Sequence, residues 1–470
     1  MSAPATTEKK YLKWYQKLAY GSGDLASNCS YGLVSSFVLL YLTGTLGLDS
    51  AIIGSLMLAS KVLDGISDVI FGTLIDRTHS KLGKARPWML FGQVGVSLCL
   101  FLLFAIPAGS TTMQYIYFFI VYTALNAVFY TANGIAYSSL VALITKNNNE
   151  RVQLGSFRFM FAVVTNIFMG FAVTGMVEKF GGGAAGWRTT ALIFAIVGLV
   201  VNTISCLAVK ELPEEELSDN TSEAAEEGKA VAKEKKHGFA ETAKILIHNK
   251  YYLMILAIYI VYYIMSNLTT GAGVFCATYY WGDGSLLGQF SMMKMFPVII
   301  ALAIAPVLIK KTGSMQKVNF WGYAISSVLG IPMIYFAMQK NLSMFLLFMF
   351  IKGIFAGTLS GSLNALIAEA SGYTTRTTGV HMDGMMYSCS SLGVKVGGGI
   401  GTAAVGWLLK LGGFVGTATV QSESAIRMIF NLYITFPFVI GIIITVLLAF
   451  LDVEKANKKW DAEHKKEAQA

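Results

Sequence analysis

The chain has 470 residues, of which 54% are hydrophobic and 13% are charged, and its formal net charge is +9. A soluble globular protein carries about 25% charged residues, so this composition excludes an ordinary soluble domain. Apolar runs of about 20 residues or more recur along the chain, which is the length that crosses the hydrocarbon core of a bilayer. The sequence therefore predicts an all-α polytopic membrane protein. Its excess of lysine and arginine lies in loops beside these runs, so the charge does not indicate nucleic-acid binding.

Twelve apolar spans are predicted, in two sets of six on either side of a polar stretch. The first set is placed at 19–47, 51–75, 88–109, 113–144, 156–181 and 187–209. The second set is placed at 251–282, 286–310, 317–339, 342–370, 379–410 and 425–451. We therefore predict five regions: an N-terminus (1–18), a six-helix bundle (19–209), a linker (210–250), a second six-helix bundle (251–451) and a charged, solvated tail (452–470).

Basic residues alternate between the two sides of the predicted bundles. The loop after the second span holds Arg77, Lys81, Lys84 and Arg86, whereas the connections on the other side, such as Leu48–Ser50, hold no lysine or arginine. Cytoplasmic loops carry the excess of lysine and arginine. We therefore expect a multi-pass protein of the plasma (inner) membrane with both termini and the linker in the cytoplasm. The polar, basic start of the chain predicts no cleavable signal peptide.

Motifs for enzymatic chemistry are missing from the sequence. There is no glycine-rich phosphate loop followed by lysine and serine or threonine, so a built-in ATPase is not expected. The five cysteines lie inside apolar runs, where small buried residues are more common than disulfides or metal ligands. We expect no enzyme activity, no cofactor and no bound metal other than a transported cation.

The second span contains charged residues at membrane depth. Asp64 and Asp68 are four residues apart and so lie on one helix face, which Lys61 shares. Ionisable groups inside a membrane usually mark an ion or substrate path. The pair is thus a candidate cation site, to which the hydroxyl of Ser67 could add an oxygen. The alternative is a structural lysine–aspartate pair that only holds helices together.

Other polar residues in the spans have the chemistry that sugars need, namely amide or carboxylate partners for hydroxyls and aromatic faces for C–H groups. The candidates are Asp24 and Asn28 in span one, and Tyr130, Asn133 and Tyr137 in span four. Ordinary packing is an equal alternative for the tyrosines. An interhelical hydrogen bond is the alternative for the asparagines. No role is assigned to the intramembrane residues Lys294 and Lys352.

Several motifs occur together in this chain. They are the stretches Lys17–Asp24, Lys61–Asp68, Asp76–Trp88, Tyr130–Leu140 and Tyr387–Gly398. With them, the chain resembles the glycoside–pentoside–hexuronide:cation symporter family, to which melibiose permease belongs, over all twelve spans. The resemblance implies the major facilitator fold. It also implies symport of a sugar, glycoside or hexuronide with sodium, lithium or a proton, by alternating access.

The resemblance also assigns roles to individual residues. Asp64 and Asp68 match the two acids that bind the coupling cation, and Lys395 matches a lysine beside that site. Arg158 matches an arginine near the sugar pocket, although from its position at the start of the predicted fifth span it is equally a positive-inside residue. Asn28 falls where melibiose permease has a sugar-binding aspartate. Departures at Gly134, Ser138, Ser360, His381 and Asp383 make galactoside recognition a poor expectation.

Charged residues at the loop ends are candidates for gating. Asp76 and Arg77, with Lys84 and Arg86, are expected to brace one end of the first bundle and to rearrange as the two halves rock. Glu369 and Asp383 flank a predicted turn at Tyr373–Arg376 and are candidates for gate salt bridges that include Arg376.

The sequence thus predicts a cation-coupled importer that works as a monomer, with a small sugar or glycoside as its substrate. The alternative on the same scaffold is an exchanger or exporter of a sugar or sugar acid without strict cation coupling. A membrane enzyme would need a nucleophile–base pair or a metal cluster, and a receptor would show no saturable flux.

Overall fold

The computed structural model describes residues 9–213, 245–378, 383–418 and 420–467, and nearly all of them are helical. Twelve long helices lie within these ranges. The first six are α1 (Trp14–Thr45), α2 (Ser50–Asp76), α3 (Arg86–Leu103), α4 (Thr111–Ile144), α5 (Asn148–Lys179) and α6 (Gly183–Leu207). The next five are α7 (Lys250–Tyr280), α8 (Leu286–Thr312), α9 (Met315–Met338), α10 (Leu342–Thr378) and α11 (Asp383–Leu411). They are followed by α12 (423–450) and a shorter helix, α13 (Val453–Glu467).

By length and composition, eleven helices in the described part of the chain are apolar enough to cross a membrane. Helix α2 is not among them, although its 27 residues have the required length. It contains Lys61, Asp64, Asp68 and Asp76, and these charges lower its hydropathy. The helix with the candidate cation site is therefore set apart from the other eleven by its charges.

The described residues form two compact units, 9–213 with 415–418 and 420, and 245–378 with 383–414 and 421–467. Inside the first unit, α1 packs on α5 and α6, α2 packs on α4, and α3 packs on α4 and α6. Inside the second unit, the helices six places later pack in the same pairs: α7 on α11 and α12, α8 on α10, and α9 on α10 and α12. The two units therefore repeat one six-helix packing arrangement.

Four helices contain a stretch of π-helix, in which each turn holds an extra residue. These stretches are Tyr41–Thr45 in α1, Ala124–Tyr130 in α4, Cys276–Tyr280 in α7 and Asn431–Thr435 in α12. Helices α1 and α7 hold the same place in the two repeats, and each ends in such a stretch. The two repeats thus share a π-helical stretch at the end of their first helix, as well as the packing of their helices.

Two helix ends differ from the prediction by eight residues, because hydrogen bonding decides where a helix ends, and hydropathy does not. Helix α5 begins at Asn148, eight residues before the predicted start, where the Asn147 side chain accepts a hydrogen bond from the Glu150 amide at 3.1 Å. Helix α10 continues to Thr378. The predicted turn at Tyr373–Arg376 is therefore wrong, because these residues are helical.

The start of α3 is held by a carboxylate from the end of the first bundle. Glu211 accepts hydrogen bonds from the backbone amides of Lys84, Ala85 and Arg86 at 2.7–3.0 Å. The Arg86 side chain is buried and donates to the Cys206 carbonyl at 3.2 Å. A carboxylate satisfies free amides and complements the helix dipole at an N-terminus. Lys84 and Arg86 thus brace this end through Glu211, whereas Asp76 and Arg77 are exposed.

The tail is not simply solvated, as was expected, because α13 packs on the second unit. Glu454 is buried and accepts from the Ser314 hydroxyl and from the Gln316 amide. Asn457 donates to the Glu369 carboxylate at 2.9 Å and accepts from Arg376 at 2.9 Å. The predicted residues Glu369 and Arg376 are thus linked through the tail helix. Asp383 begins α11, and its side chain, like all of His381, lies outside the described residues.

Candidate functional site

The charged face of α2 is buried in the first unit, and its opposite face is apolar and exposed. Asp64 is 8% exposed, and Asp68, one turn later, is partly buried. The exposed side chains are Val62, Leu63, Ile66, Val69 and Ile70. In a membrane-spanning helix, such an apolar surface faces lipid and the carboxylates face protein.

The two oxygens of the Asp64 carboxylate have contacts of different kinds on α2 and α4. One carboxylate oxygen accepts a short hydrogen bond of 2.6 Å from the Thr131 hydroxyl on α4. The other lies 3.5 Å from the Lys61 ammonium, whereas a good ammonium–carboxylate hydrogen bond measures about 2.7–2.9 Å. The Thr131 hydroxyl is therefore a strong neutral donor to Asp64, and the contact with the Lys61 ammonium is loose.

Thr131 was not among the predicted site residues. It follows the π-helical stretch of α4, and its hydroxyl also lies 2.9 Å from the Asn126 carbonyl oxygen. A hydroxyl has a single proton, so it donates fully to only one of these two acceptors at a time. The direction of this hydrogen bond therefore responds to whether Asp64 is charged.

The hydroxyl of Ser67 donates to the backbone carbonyl of Asp64 at 2.9 Å. A serine that bonds back to its own helix directs its proton along that helix. Thr131 instead supplies the hydroxyl that contacts the Asp64 carboxylate, so the expected contribution from Ser67 is not visible in this geometry.

Two aromatic rings extend the environment of Lys61. Its ammonium lies 5.8 Å from the centroid of the Tyr31 ring, and Tyr31 stacks on Tyr130 at 5.4 Å. A cation above an aromatic ring is attracted to the π electrons. Tyr130, a predicted sugar-binding residue, is thereby connected to the α2 charges through Tyr31 on α1.

A second charged cluster joins α1 to α5. Arg158 Nε donates to the Asp24 carboxylate at 2.7 Å, and the side chains are 25% and 18% exposed. Arg158 lies about three turns inside α5, because this helix begins before the predicted apolar span. Its pairing with Asp24 gives it a partner that a positive-inside residue does not require.

Tyr137 supports this pair from α4. The guanidinium carbon of Arg158 lies 4.2 Å from the Tyr137 ring centroid. Tyr137 is 2% exposed and exchanges hydrogen bonds with Tyr20, each hydroxyl donating to the other residue's carbonyl at 2.6–2.8 Å. Tyr137 thus holds Arg158 in place, because its hydroxyl is already bonded within the protein.

The two predicted asparagines differ in their surroundings. Asn28 is partly buried, donates to the Asp24 carbonyl at 2.7 Å and accepts from the Asn166 amide at 2.9 Å. Asn133 is 3% exposed and donates to Gln93 of α3 at 2.6 Å. This geometry keeps Asn28 beside the Asp24–Arg158 pair and favours the interhelical alternative for Asn133.

Lys395 belongs to the second unit. It is partly buried on α11, where the next turn contains Gly397 packed against the Ile260 carbonyl of α7. The close approach of these two backbones explains the need for glycine there. Within the described ranges, no group of three or more histidine, cysteine, aspartate or glutamate residues is arranged to hold a metal ion.

Comparisons with known proteins agree with this architecture. The chain is 27% identical to the isoprimeverose transporter of Lactiplantibacillus pentosus over 98% of this chain and 94% of that protein. It is 24% identical to the putative glycoside/cation symporter YagG of Escherichia coli strain K12, over 95% and 93% of the two chains. The fold matches the crystal structure of a bacterial homologue of the lysosomal transporter Spinster with a TM-score of 0.68 at 13% identity, covering 95% and 98%.

Residues 19–455 match the family described as MFS/sugar transport protein. That range includes all twelve membrane helices except the first turns of α1, and it contains both charged clusters of the first unit. Two repeats of six helices are the architecture of a major facilitator transporter. The chain therefore belongs to the MFS/sugar transport protein family, and it is a multi-pass membrane transporter of the sugar type and not an enzyme.

Proposed function

We propose that the protein couples uptake of a sugar, glycoside or hexuronide to entry of Na⁺ or H⁺. The observation that supports this most directly is the short hydrogen bond of 2.6 Å from the Thr131 hydroxyl to the buried Asp64 carboxylate, whose contact with Lys61 is loose at 3.5 Å. A carboxylate and a hydroxyl placed in this way provide oxygens at which a cation can bind. An entering cation replaces the lysine contact, so the loaded site differs electrostatically from the empty one.

Both coupling ions fit the same atoms. Sodium takes oxygen ligands, and the Asp64 carboxylate, the Thr131 hydroxyl and the carboxylate of Asp68 supply them. A proton on Asp64 allows the Thr131 hydroxyl to turn toward the Asn126 carbonyl, 2.9 Å away. In either case the charge on Asp64 is neutralised while the substrate is bound, which is the condition for coupling.

The substrate site of the proposal is built from the second cluster. Asp24 and Arg158 offer a carboxylate and a guanidinium with partial exposure, and Asn28 lies beside them. Such groups bind pairs of sugar hydroxyls. Tyr130 completes the proposed set in the first unit, and a role for Lys395 in binding stays a prediction from the family resemblance. The Glu211–Arg86 and Glu369–Asn457–Arg376 contacts are the proposed elements that rearrange during alternating access.

We further propose that the protein lies in the inner membrane with both termini in the cytoplasm and works as a monomer. The names of the two relatives, an isoprimeverose transporter and a putative glycoside/cation symporter, support a glycoside as the substrate.

The test is uptake of radiolabelled glycosides into proteoliposomes under an imposed sodium gradient or an imposed pH gradient. We expect one gradient to drive accumulation and the other to have little effect. Uptake that only equilibrates under both gradients contradicts cation coupling and supports the alternative of an exchanger or exporter. Absence of saturable uptake for every glycoside contradicts sugar transport by this route.

Replacing Thr131 with valine tests the hydroxyl partner of Asp64. Valine keeps the branched shape, but it removes a hydrogen bond to a charged group, which is worth roughly 1.5–3 kcal/mol. We expect the cation concentration for half-maximal uptake to rise about tenfold to a hundredfold. The matched control is Thr123→Val on the same helix, because the buried Thr123 hydroxyl has no hydrogen-bond partner among the described residues. Equal cation dependence in both variants contradicts the assignment of Thr131.

A further inference from the structure

Two lysines without a role in the proposed cation site line one cavity inside the second unit. The cavity has a volume of about 180 Å³, and Lys294 of α8 and Lys352 of α10 both contribute to its wall. Their neighbours in sequence show that they lie at one depth, because Gly353 packs against Met293 and Pro297. The rest of the wall comes from α7, α9 and α12.

The ammonium groups in this cavity lack an acidic partner. Lys294 donates to the hydroxyls of Thr269 and Thr270, both at 3.2 Å, and these acceptors are neutral. Lys352 makes no hydrogen bond or ion pair with any residue that the structure describes. No aspartate or glutamate is found among the described residues that line the cavity. Two cations without a counter-ion inside a helix bundle are costly, and intramembrane charges of this kind are usually functional.

The cavity also provides neutral donors and apolar surface. Its wall includes the hydroxyl-bearing residues Tyr262, Ser266, Tyr323, Ser326 and Ser327. It also includes several methionines and phenylalanines, such as Met265, Met293 and Phe345. An occupant that fits this wall carries negative charge at one end and a small organic body that contacts both hydroxyls and apolar groups.

We infer that this cavity binds the carboxylate of a small organic acid, with one carboxylate oxygen toward each ammonium. A carboxylate has two oxygens and accepts several hydrogen bonds, so it satisfies both lysines and a nearby hydroxyl. A single negative charge enters an apolar cavity at a lower desolvation cost than the double charge of a phosphate ester. The inference is separate from the proposed substrate cluster at Asp24 and Arg158, because the cavity lies inside the second unit: it assigns a further binding site, for a hexuronate or another small organic acid.

The experiment measures binding to the purified full chain in lipid nanodiscs. The probes are D-glucuronate and D-galacturonate, their neutral counterparts D-glucose and D-galactose, glucose 6-phosphate and acetate. We expect at least one hexuronate to bind ten times or more tightly than its neutral counterpart. If acetate also binds, the carboxylate group alone is sufficient for binding to this cavity. Binding by glucose 6-phosphate without either hexuronate, or binding by none of the acids, overturns the inference.

Substitutions then locate the site. Lys294→Gln and Lys352→Gln each remove one positive charge from the cavity, and we expect each to reduce the preference for the hexuronate about tenfold or more, while Lys352→Arg retains part of it. The control is Lys317→Gln, since Lys317 is exposed at the start of α9. A preference that survives in the double variant Lys294→Gln/Lys352→Gln places the acid elsewhere and overturns the inference. Thermal unfolding of each variant shows that it is folded.

The two proposals fail in different ways. Uptake driven by a cation gradient for neutral glycosides, with no binding of hexuronates, leaves the proposed symport intact and overturns the carboxylate site. Hexuronate binding that depends on both lysines, without a response of uptake to sodium or pH, leaves the carboxylate site intact and contradicts cation coupling.

Discussion

Asp64→Asn is expected to abolish cation-driven accumulation of substrate and to leave exchange of substrate across the membrane measurable. Asparagine keeps the size of the side chain and its hydrogen bond with Thr131. It removes the negative charge, so an entering cation has nothing to neutralise. The variant therefore resembles the cation-loaded protein at all times. It can still reorient between the two sides of the membrane with substrate bound.

The size of this effect follows from the driving force. One positive charge that crosses 100 mV releases about 2.3 kcal/mol, which supports an accumulation ratio of roughly fifty at about 1.4 kcal/mol per factor of ten. In Asp64→Asn the ratio should fall to about one under the same potential. The measurement compares uphill uptake with counterflow in proteoliposomes.

The control for Asp64→Asn is Glu178→Gln, which neutralises an exposed carboxylate at the end of α5. This variant should accumulate substrate as the unmodified protein does. Accumulation at the normal ratio in Asp64→Asn would show that the carboxylate is only a structural partner of Lys61 and Thr131.

Removal of the Arg158 charge is expected to reduce both accumulation and exchange by about a hundredfold or more. Arg158→Gln leaves Asp24 without its 2.7 Å partner and removes the planar cation from the Tyr137 ring. An interaction lost with the substrate itself affects every mode of transport, whether or not a cation gradient is present. This pattern differs from the one expected for Asp64→Asn.

Arg158→Lys is the informative companion, since it keeps the charge and loses the planar, multiply donating group. We expect partial recovery of exchange with a raised substrate concentration for half-maximal rate. Asp24→Asn should show the same loss as Arg158→Gln if both residues contact substrate. If Asp24→Asn exchanges substrate within twofold of the unmodified protein, the ion pair is a structural connection between α1 and α5.

The number and order of the helices could be predicted because a bilayer requires long apolar runs, and such runs are visible in any sequence. The start of α5 and the end of α10 could not be predicted, because those turns are polar and their helical state depends on capping and packing. The tail helix was also missed, since its docking depends on two buried polar residues, Glu454 and Asn457, within a charged segment.

The site was predictable where charge made it stand out. Asp64, Asp68 and Lys61 are conspicuous in an apolar helix. Thr131 was not, because a threonine in an apolar run is common at helix contacts. The pairing of Asp24 with Arg158 joins residues that are 134 positions apart, and only the packing of α1 on α5 brings them together.

The wide turn at Ala124–Tyr130 determines which way the following part of α4 faces. A π-helical turn contains one residue more than an α-helical turn, and each residue of an α-helix advances the side chains by about 100° around the axis. Shortening this stretch by a single residue would rotate Thr131 and Tyr137 together, away from Asp64 and Arg158 respectively. The extra residue of this π-helical turn thus determines the rotational position of Thr131 and Tyr137. Through these two residues it affects both charged clusters.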